Sequence, residues 1–214
     1  IHHDHGILGA AAYEAAEMRK CRLLKEAGFN SVRSAHHPAG KAFLDACDKT
    51  GLLVMDELTD MWTIHKNNHD FAFSFLDEWQ DMIKHMVDKD YNHACVILYS
   101  VGNEIQEIGT ERGAEINRML CNAFKELDAT RFTTNGMNAL NAVGAKVYPV
   151  MQELAPLIRK DAGEAGTNDN SGSNAINSFM KLMEGEAGDA FAVHPIVTEV
   201  LEESSESMDT VSYT

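Results

Sequence analysis

The run Val96-Ile97-Leu98-Tyr99-Ser100-Val101-Gly102-Asn103-Glu104 constrains this chain more than any other stretch. Val96 to Tyr99 are apolar or aromatic, rich in β-formers and bounded by polar segments, so they read as a buried strand. The run breaks at Gly102 and delivers an amide and a carboxylic acid, Asn103 and Glu104. In parallel α/β sheets and barrels, the C-terminal ends of strands are where ligands bind and chemistry is done. The competing reading is that Asn-Glu only caps the next helix, which is ordinary turn chemistry. These residues alone weigh the two readings about equally.

The rest of the chain tips the balance. A helix is expected over 10–27 with Gly28 at C′, then a strand over 29–33 that ends in Arg33, Ser34, His36 and His37. Pro38 leads into a helix through Phe43, Leu44 and Cys47, stopped by Gly51. A strand over 52–55 ends in Asp56-Glu57, and its unbroken apolar run suits a parallel sheet covered on both faces. A polar and aromatic loop over 58–73 carries Asp60, Trp62, His65 and Lys66, and a helix follows over 74–89 with a weak Ser74/Asp77 capping box. After the 96–101 strand, Ile116, Met119, Leu120, Ala123 and Leu127 mark a helix and 131–134 a strand. Residues 142–172 lose periodicity, with a mobile Gly/Asn/Ser-rich loop expected over 163–173. Helices return over 175–183 and 195–203, and 210–213 is strand-like.

Strand and helix therefore alternate, which implies βαβ units and a parallel sheet. No G-x-G-x-x-G or P-loop pattern opens a helix, so the main signal for a nucleotide-binding open sheet is missing. Polar residues instead gather at successive strand ends, as the rim of a barrel requires.

Composition narrows the partners. With 18 basic and 33 acidic residues the net charge is −15. A surface that negative repels phosphate backbones and anionic lipid, so neither nucleic acid nor membrane is expected, and a neutral substrate is mildly favoured. No apolar run approaches the roughly 18 residues of a membrane span. Cys21, Cys47, Cys95 and Cys121 form no C-x-x-C pair and sit in or beside apolar stretches, so buried thiols are expected. Location is expected to be cytoplasmic. Position 1 is Ile, and 209–214 begin a strand with nothing after it, so a piece of a longer protein is expected.

Ile1-His2-His3-Asp4-His5-Gly6, Phe29-Asn30-Ser31-Val32-Arg33-Ser34-Ala35-His36, Val54-Met55-Asp56-Glu57, Asp90-Tyr91-Asn92-His93 and Ser100-Val101-Gly102-Asn103-Glu104 follow one another in order. Together they resemble the catalytic barrel of glycoside hydrolase family 2, which includes β-galactosidases, β-glucuronidases and β-mannosidases. Asp60-Met61-Trp62 looks most like the β-galactosidase branch.

The resemblance implies a (β/α)₈ TIM barrel, here incomplete from the end of strand one to strand six, so residues 1–214 would be a partial catalytic domain. The N-terminal sandwich domains and the C-terminal part of the barrel would lie outside it. It implies retaining hydrolysis of β-galactosides without a cofactor, with Glu104 as general acid/base. Asn103 would bond the sugar's 2-hydroxyl, His3 and His36 would line the pocket, and Arg33 would lie beneath the catalytic carboxylates. Asp60 and Trp62 would contact substrate. The nucleophile, a Glu on strand seven, would be outside the chain. Homo-oligomerisation or pairing with the remainder of the barrel is expected.

Ala94 stands where the family usually has Pro, Tyr91 where it has Arg and Tyr99 where it has Trp. Met61 occupies the place of an acidic magnesium ligand, so no metal is carried over. Other readings are an inactive carbohydrate-binding or assembly fragment, and β-glucuronidase- or β-mannosidase-type specificity. A further one is a metal-dependent barrel hydrolase using His2, His3, His5 and Asp56, although His-His-Asp-His lacks the i, i+4 spacing of a helical metal site.

Overall fold

The computed structural model describes residues 1–165 and 184–213. In chain order the elements are α1 (Glu14–Glu26), β1 (Ser31–Arg33), α2 (Lys41–Thr50), β2 (Leu53–Glu57), α3 (Phe75–Asp90) and β3 (Val96–Asn103). They continue with α4 (Glu111–Leu127), β4 (Phe132–Met137), α5 (Ala139–Val143), α6 (Val147–Ala165), α7 (Glu186–Ala192), α8 (Pro195–Ser205) and β5 (Ser212–Tyr213).

All five strands are parallel and lie in the order β1-β2-β3-β4-β5, with Val32 opposite Val54, Asp56 opposite Tyr99 and Gly136 opposite Ser212. An open doubly wound sheet reverses its strand order at a switch point. Strictly consecutive order is that of a barrel wall, and the fold is an arc of a (β/α)₈ TIM barrel. Ile1 lies alongside β1, its ammonium donating to Arg33 O at 2.5 Å and its carbonyl accepting from Ala35 N at 2.9 Å. The first segment thus reaches the sheet edge as a strand end does.

Two irregularities in β3 aim its C-terminal end. The register slips by one residue against β2 between Val54 and Met55, and again against β4 between Ser100 and Asn103. An extra residue in one strand bends it and re-aims the side chains beyond it. Gly102 sits in the second irregularity. A Cβ there would lie 2.6 Å from Ile105 Cγ1 and 3.2 Å from Trp62 Nε1, so only glycine fits.

The core lies between the sheet and its helices. Tyr99 stacks on Phe124 of α4 at 4.7 Å between centroids and gives its hydroxyl to Asp128 at 3.1 Å. Asp128 also accepts Arg131 Nη1 at 2.5 Å, and Arg131 Nε reaches Val96 O at 2.8 Å, lacing the starts of β3 and β4 together. All four cysteines are buried and unbridged.

Three expectations are corrected. The described part of the 142–172 stretch, up to residue 165, is mostly helix: Val147, Val150, Met151, Leu154, Leu157 and Ile158 form the apolar stripe of α6, whose interior Pro156 disguises it. The Ser74/Asp77 box does not form, because Ser74 has αR backbone and no side-chain capping bond; Asp70 instead caps the short 3₁₀ turn before it. The first helix begins at Glu14, since Gly6–Leu8 make a separate 3₁₀ turn closed by Gly9 at φ 59°. The mobile loop expected over 163–173 lies outside the described residues from 166 onward, as does all of the 175–183 helix.

The turn after β3 packs against α5 with no room to spare. A Cβ on Gly109 would lie 1.8 Å from the Ala142 carbonyl oxygen, a backbone atom that cannot rotate away. Gly109→Ala should therefore cost about 3 kcal/mol, the upper end of overpacking effects. Urea unfolding measures it, and a change under ~0.5 kcal/mol would contradict this packing.

Candidate active site

At the C-terminal ends of β1, β2 and β3, five side chains form one chain of charge-assisted bonds. Arg33 grips Glu57 through two nitrogens, Nε at 2.9 Å and Nη2 at 3.1 Å. The same Nη2 donates to Asn103 Oδ1 at 2.5 Å, and Asn103 Nδ2 donates to Asp60 Oδ1 at 2.7 Å. Lys66 closes the chain on Asp60 Oδ1 at 2.7 Å and on the Asn103 carbonyl at 2.8 Å. Bidentate Arg–carboxylate pairs fix geometry as well as energy.

Glu57 has no exposed surface, and Ser100 Oγ donates to its Oε2 at 2.8 Å. Burial pushes the Glu57 carboxyl above the ordinary carboxylate range, against the opposing pull of the Arg33 guanidinium and the Ser100 hydroxyl. His36 Nδ1 stands 3.4 Å from Glu57 Oε1, and the His36 ring meets the edge of His2.

Glu104 follows directly on Asn103. Its backbone is left-handed at φ 45°, a conformation uncommon for a side chain of this kind and frequent at functional positions. Its carboxyl accepts one side-chain hydrogen bond among the described residues, from Asn138 Nδ2 to Oε1 at 2.9 Å. Glu104 is half-buried, and its Oε2 takes no hydrogen bond among the described residues.

The loop over 58–73 that delivers Asp60 and Lys66 is organised by Asp70. Its carboxylate accepts the amides of Lys66, Asn67 and Ala72 and the ring of His65. Those bonds, the Asn67 amide foremost, hold its pKa at about 2.

Of the residues expected from sequence, Arg33, Asp60, Asn103, Glu104 and His36 converge on this rim. Two do not. Trp62 is fully buried and donates its indole N–H to Val101 O at 3.1 Å, packing under Gly102; its ring is part of the floor and faces no ligand space. His3 sits against His37, 4.2 Å between ring centroids, in a recess beside Lys20 of α1 and Phe43 of α2. Burial and the neighbouring His37 lower its pKa. His2, one residue earlier, takes the place beside His36. Glu57, Ser100, Lys66 and Asn138 join the site without having been assigned to it: Glu57 and Ser100 lie in two of the quoted motifs and Lys66 in the polar loop, whereas Asn138 lies in none.

The residues of the metal reading are dispersed: His5 pairs with Glu17 at 2.8 Å, and Asp56 is bonded to Ser34 Oγ and Lys89 behind the sheet. Among the described residues, Asp48, His93 and Cys95 bring metal-type donors within 4.8 Å of one another. They lie at the opposite end of the sheet, Asp48 on α2 and His93 and Cys95 just before β3, and Asp48 already accepts His93 Nδ1 at 2.6 Å and the Cys95 amide at 2.8 Å.

The model of the glycosyl hydrolases family 2 TIM barrel domain matches residues 1–171. The chain belongs to glycosyl hydrolase family 2. A β-galactosidase of Bacteroides ovatus, BoGH2A, is 40% identical over 116 residues, covering 54% of this chain and 14% of that protein. A solved family 2 structure from Bacteroides cellulosilyticus superposes with a TM-score of 0.67 at 31% identity, covering all of this chain and 20% of that one. A β-galacturonidase from Eisenbergiella tayi, solved with galacturonate, gives a TM-score of 0.57 at 30% identity over 64% of this chain and 24% of its own. This family 2 chain thus spans about a quarter or less of each of these three proteins.

Glu57 allows a pH test of the network. Because its folded pKa is raised, the folded protein holds a proton that the unfolded chain has lost between the ordinary carboxylate range and the raised value. Its contribution to stability therefore falls as pH rises through that window. Denaturant midpoints from about pH 4 to 7 should show Glu57→Gln gaining on the wild type as pH rises. The reverse trend would mean that the Arg33 pair dominates.

Proposed function

We propose that this chain carries the proton-donor side of a retaining β-galactosidase, with Glu104 as general acid/base. The observation that supports it most is the pairing of a rim carboxyl, Glu104, with an adjacent amide, Asn103, already oriented by Arg33 and Asp60. A glycosidic oxygen is a poor leaving group until protonated, so a carboxylic acid must donate to it and then act as base toward water. With Oδ1 bound by Arg33 and one N–H given to Asp60, Asn103 keeps a single N–H for the sugar's 2-hydroxyl. Asp60, partly exposed, and His36 complete the sugar-facing set. Arg33 acts through Asn103 and Glu57.

A neutral galactoside is favoured over a uronide by the net charge of −15. The runner-up, an acid sugar, is supported by the likeness to the β-galacturonidase. The nucleophile belongs to a later strand of the closed barrel. Its remaining strands would cover the exposed apolar residues Leu53, Ile97 and Phe132 near the starts of β2, β3 and β4.

In the intact enzyme, Glu104→Ala should slow alkyl β-galactosides by about 10²–10⁴-fold, the usual worth of proton transfer. Dinitrophenyl β-galactoside, whose aglycone departs without a proton, should be much less affected in its first step. Equal losses would make Glu104 structural. Faster turnover of β-galacturonides or β-glucuronides than of β-galactosides by the wild type would select the runner-up.

A further inference from the structure

Glu104 is gripped from one side by the end of β4 and the segment that follows it. Its amide donates to Gly136 O at 2.7 Å, and its carbonyl accepts Asn141 Nδ2 at 3.0 Å. Its side-chain Oε1 accepts Asn138 Nδ2 at 2.9 Å. A non-glycine residue at φ 45° persists only where its surroundings hold it, and these three bonds do so.

Asn138 is itself fixed. Its Oδ1 accepts the amides of Leu140 at 3.0 Å and Asn141 at 3.3 Å, capping α5. With the acceptor end of the amide committed to the helix, the donor end must face Glu104. A donor aimed at Oε1 has a chemical consequence. A protonated carboxyl oxygen is itself a donor and accepts less well than its unprotonated partner. The proton of the acid form is therefore favoured on Oε2.

We propose that Asn138 is a positioning residue for the acid/base, fixing the Glu104 carboxyl and favouring Oε2 as the seat of its transferable proton. The proposal rests on the acid/base reading of Glu104. In the first step the Oε2–H bond breaks, the proton passes to the glycosidic oxygen, the electron pair of the anomeric C–O bond leaves with the aglycone, and the nucleophile's carboxylate on the later strand bonds the anomeric carbon. Glu104 is left as a carboxylate whose Oε1 is still bonded by Asn138. In the second step a water proton returns to Oε2 as the water oxygen bonds the anomeric carbon and the ester bond between that carbon and the nucleophile's carboxylate breaks, its electron pair returning to the nucleophile. The charged groups of the neighbouring elements, Arg33 on β1, Glu57 on β2 and Asp60 and Lys66 in the 58–73 loop, are bonded to one another and to Asn103. Glu107, on the turn after β3, is bonded to Thr63 and Ile64. Among the described residues the Glu104 carboxyl takes its one side-chain hydrogen bond from Asn138.

The experiment uses the intact enzyme and two variants that keep the helix cap. Asn138→Ser retains a capping oxygen but is too short to reach Glu104, and Asn138→Asp retains it while turning the donor into an acceptor. For an alkyl β-galactoside, kcat should fall on the order of 100-fold in both with KM little changed, the scale of a misplaced catalytic group. For dinitrophenyl β-galactoside, the burst of the first step should be nearly unchanged. Equal losses on both substrates, or a change in KM alone, would overturn the assignment and leave Asn138 a structural cap. Glu104→Ala run alongside separates the two failures. If Glu104→Ala discriminates between the substrates and the Asn138 variants do not, the positioning role alone falls. If Glu104→Ala does not discriminate, the acid/base reading falls and takes this proposal with it.

Discussion

The site depends on one buried ion pair. Glu57 has no exposed surface, and a lone carboxylate there would be costly to ionise. Arg33 meets it with two nitrogens and spends its remaining reach on Asn103, so a single guanidinium ties the ends of β1, β2 and β3. The pair adds little net stability of its own, since desolvation offsets most of the attraction. What it contributes is orientation. Removing Arg33 would leave a buried charge unpaired and free the Asn103 amide to turn.

From that anchor the positions of the other groups follow. Asn103 passes the constraint to Asp60, and Lys66 balances the charge of Asp60 while holding the Asn103 carbonyl. The irregularity of β3 at Gly102 lets the strand turn its end toward the rim, and Trp62 fills the space beneath it. Glu104 then emerges with a left-handed backbone that the end of β4 and the segment after it hold in place. Four parallel strands thus contribute to one rim, which is what the barrel architecture makes available.

Much of this was legible in the sequence, because strands covered on both faces read as apolar runs and strand ends read as polar breaks. Val96–Asn103, Leu53–Glu57 and Gly51 as a helix stop all follow from local rules. Trp62 misled because an aromatic beside a polar strand end looks like a sugar platform; only the three-dimensional neighbour, a glycine with no side chain, reveals it as floor. His2 and His3 could not be told apart, since one residue of register turns a side chain to the opposite face. Asn138 was missed because β4 runs to Met137, three residues beyond the expected end, so its strand-end position was not visible. The bond between Asn138 and Glu104 joins residues far apart in sequence, and no local pattern encodes it.

This member of glycosyl hydrolase family 2 spans 14% of its Bacteroides ovatus relative. The most direct test is chemical rescue of Glu104→Ala in the intact enzyme, with an activated aryl β-galactoside and azide. Azide needs no general base, so it can attack the glycosyl-enzyme once the acid/base is gone. The account predicts that azide restores turnover and that the product is the β-galactosyl azide, formed with net retention. An α-azide would make Glu104 the nucleophile, and turnover indifferent to azide would remove it from the chemistry altogether.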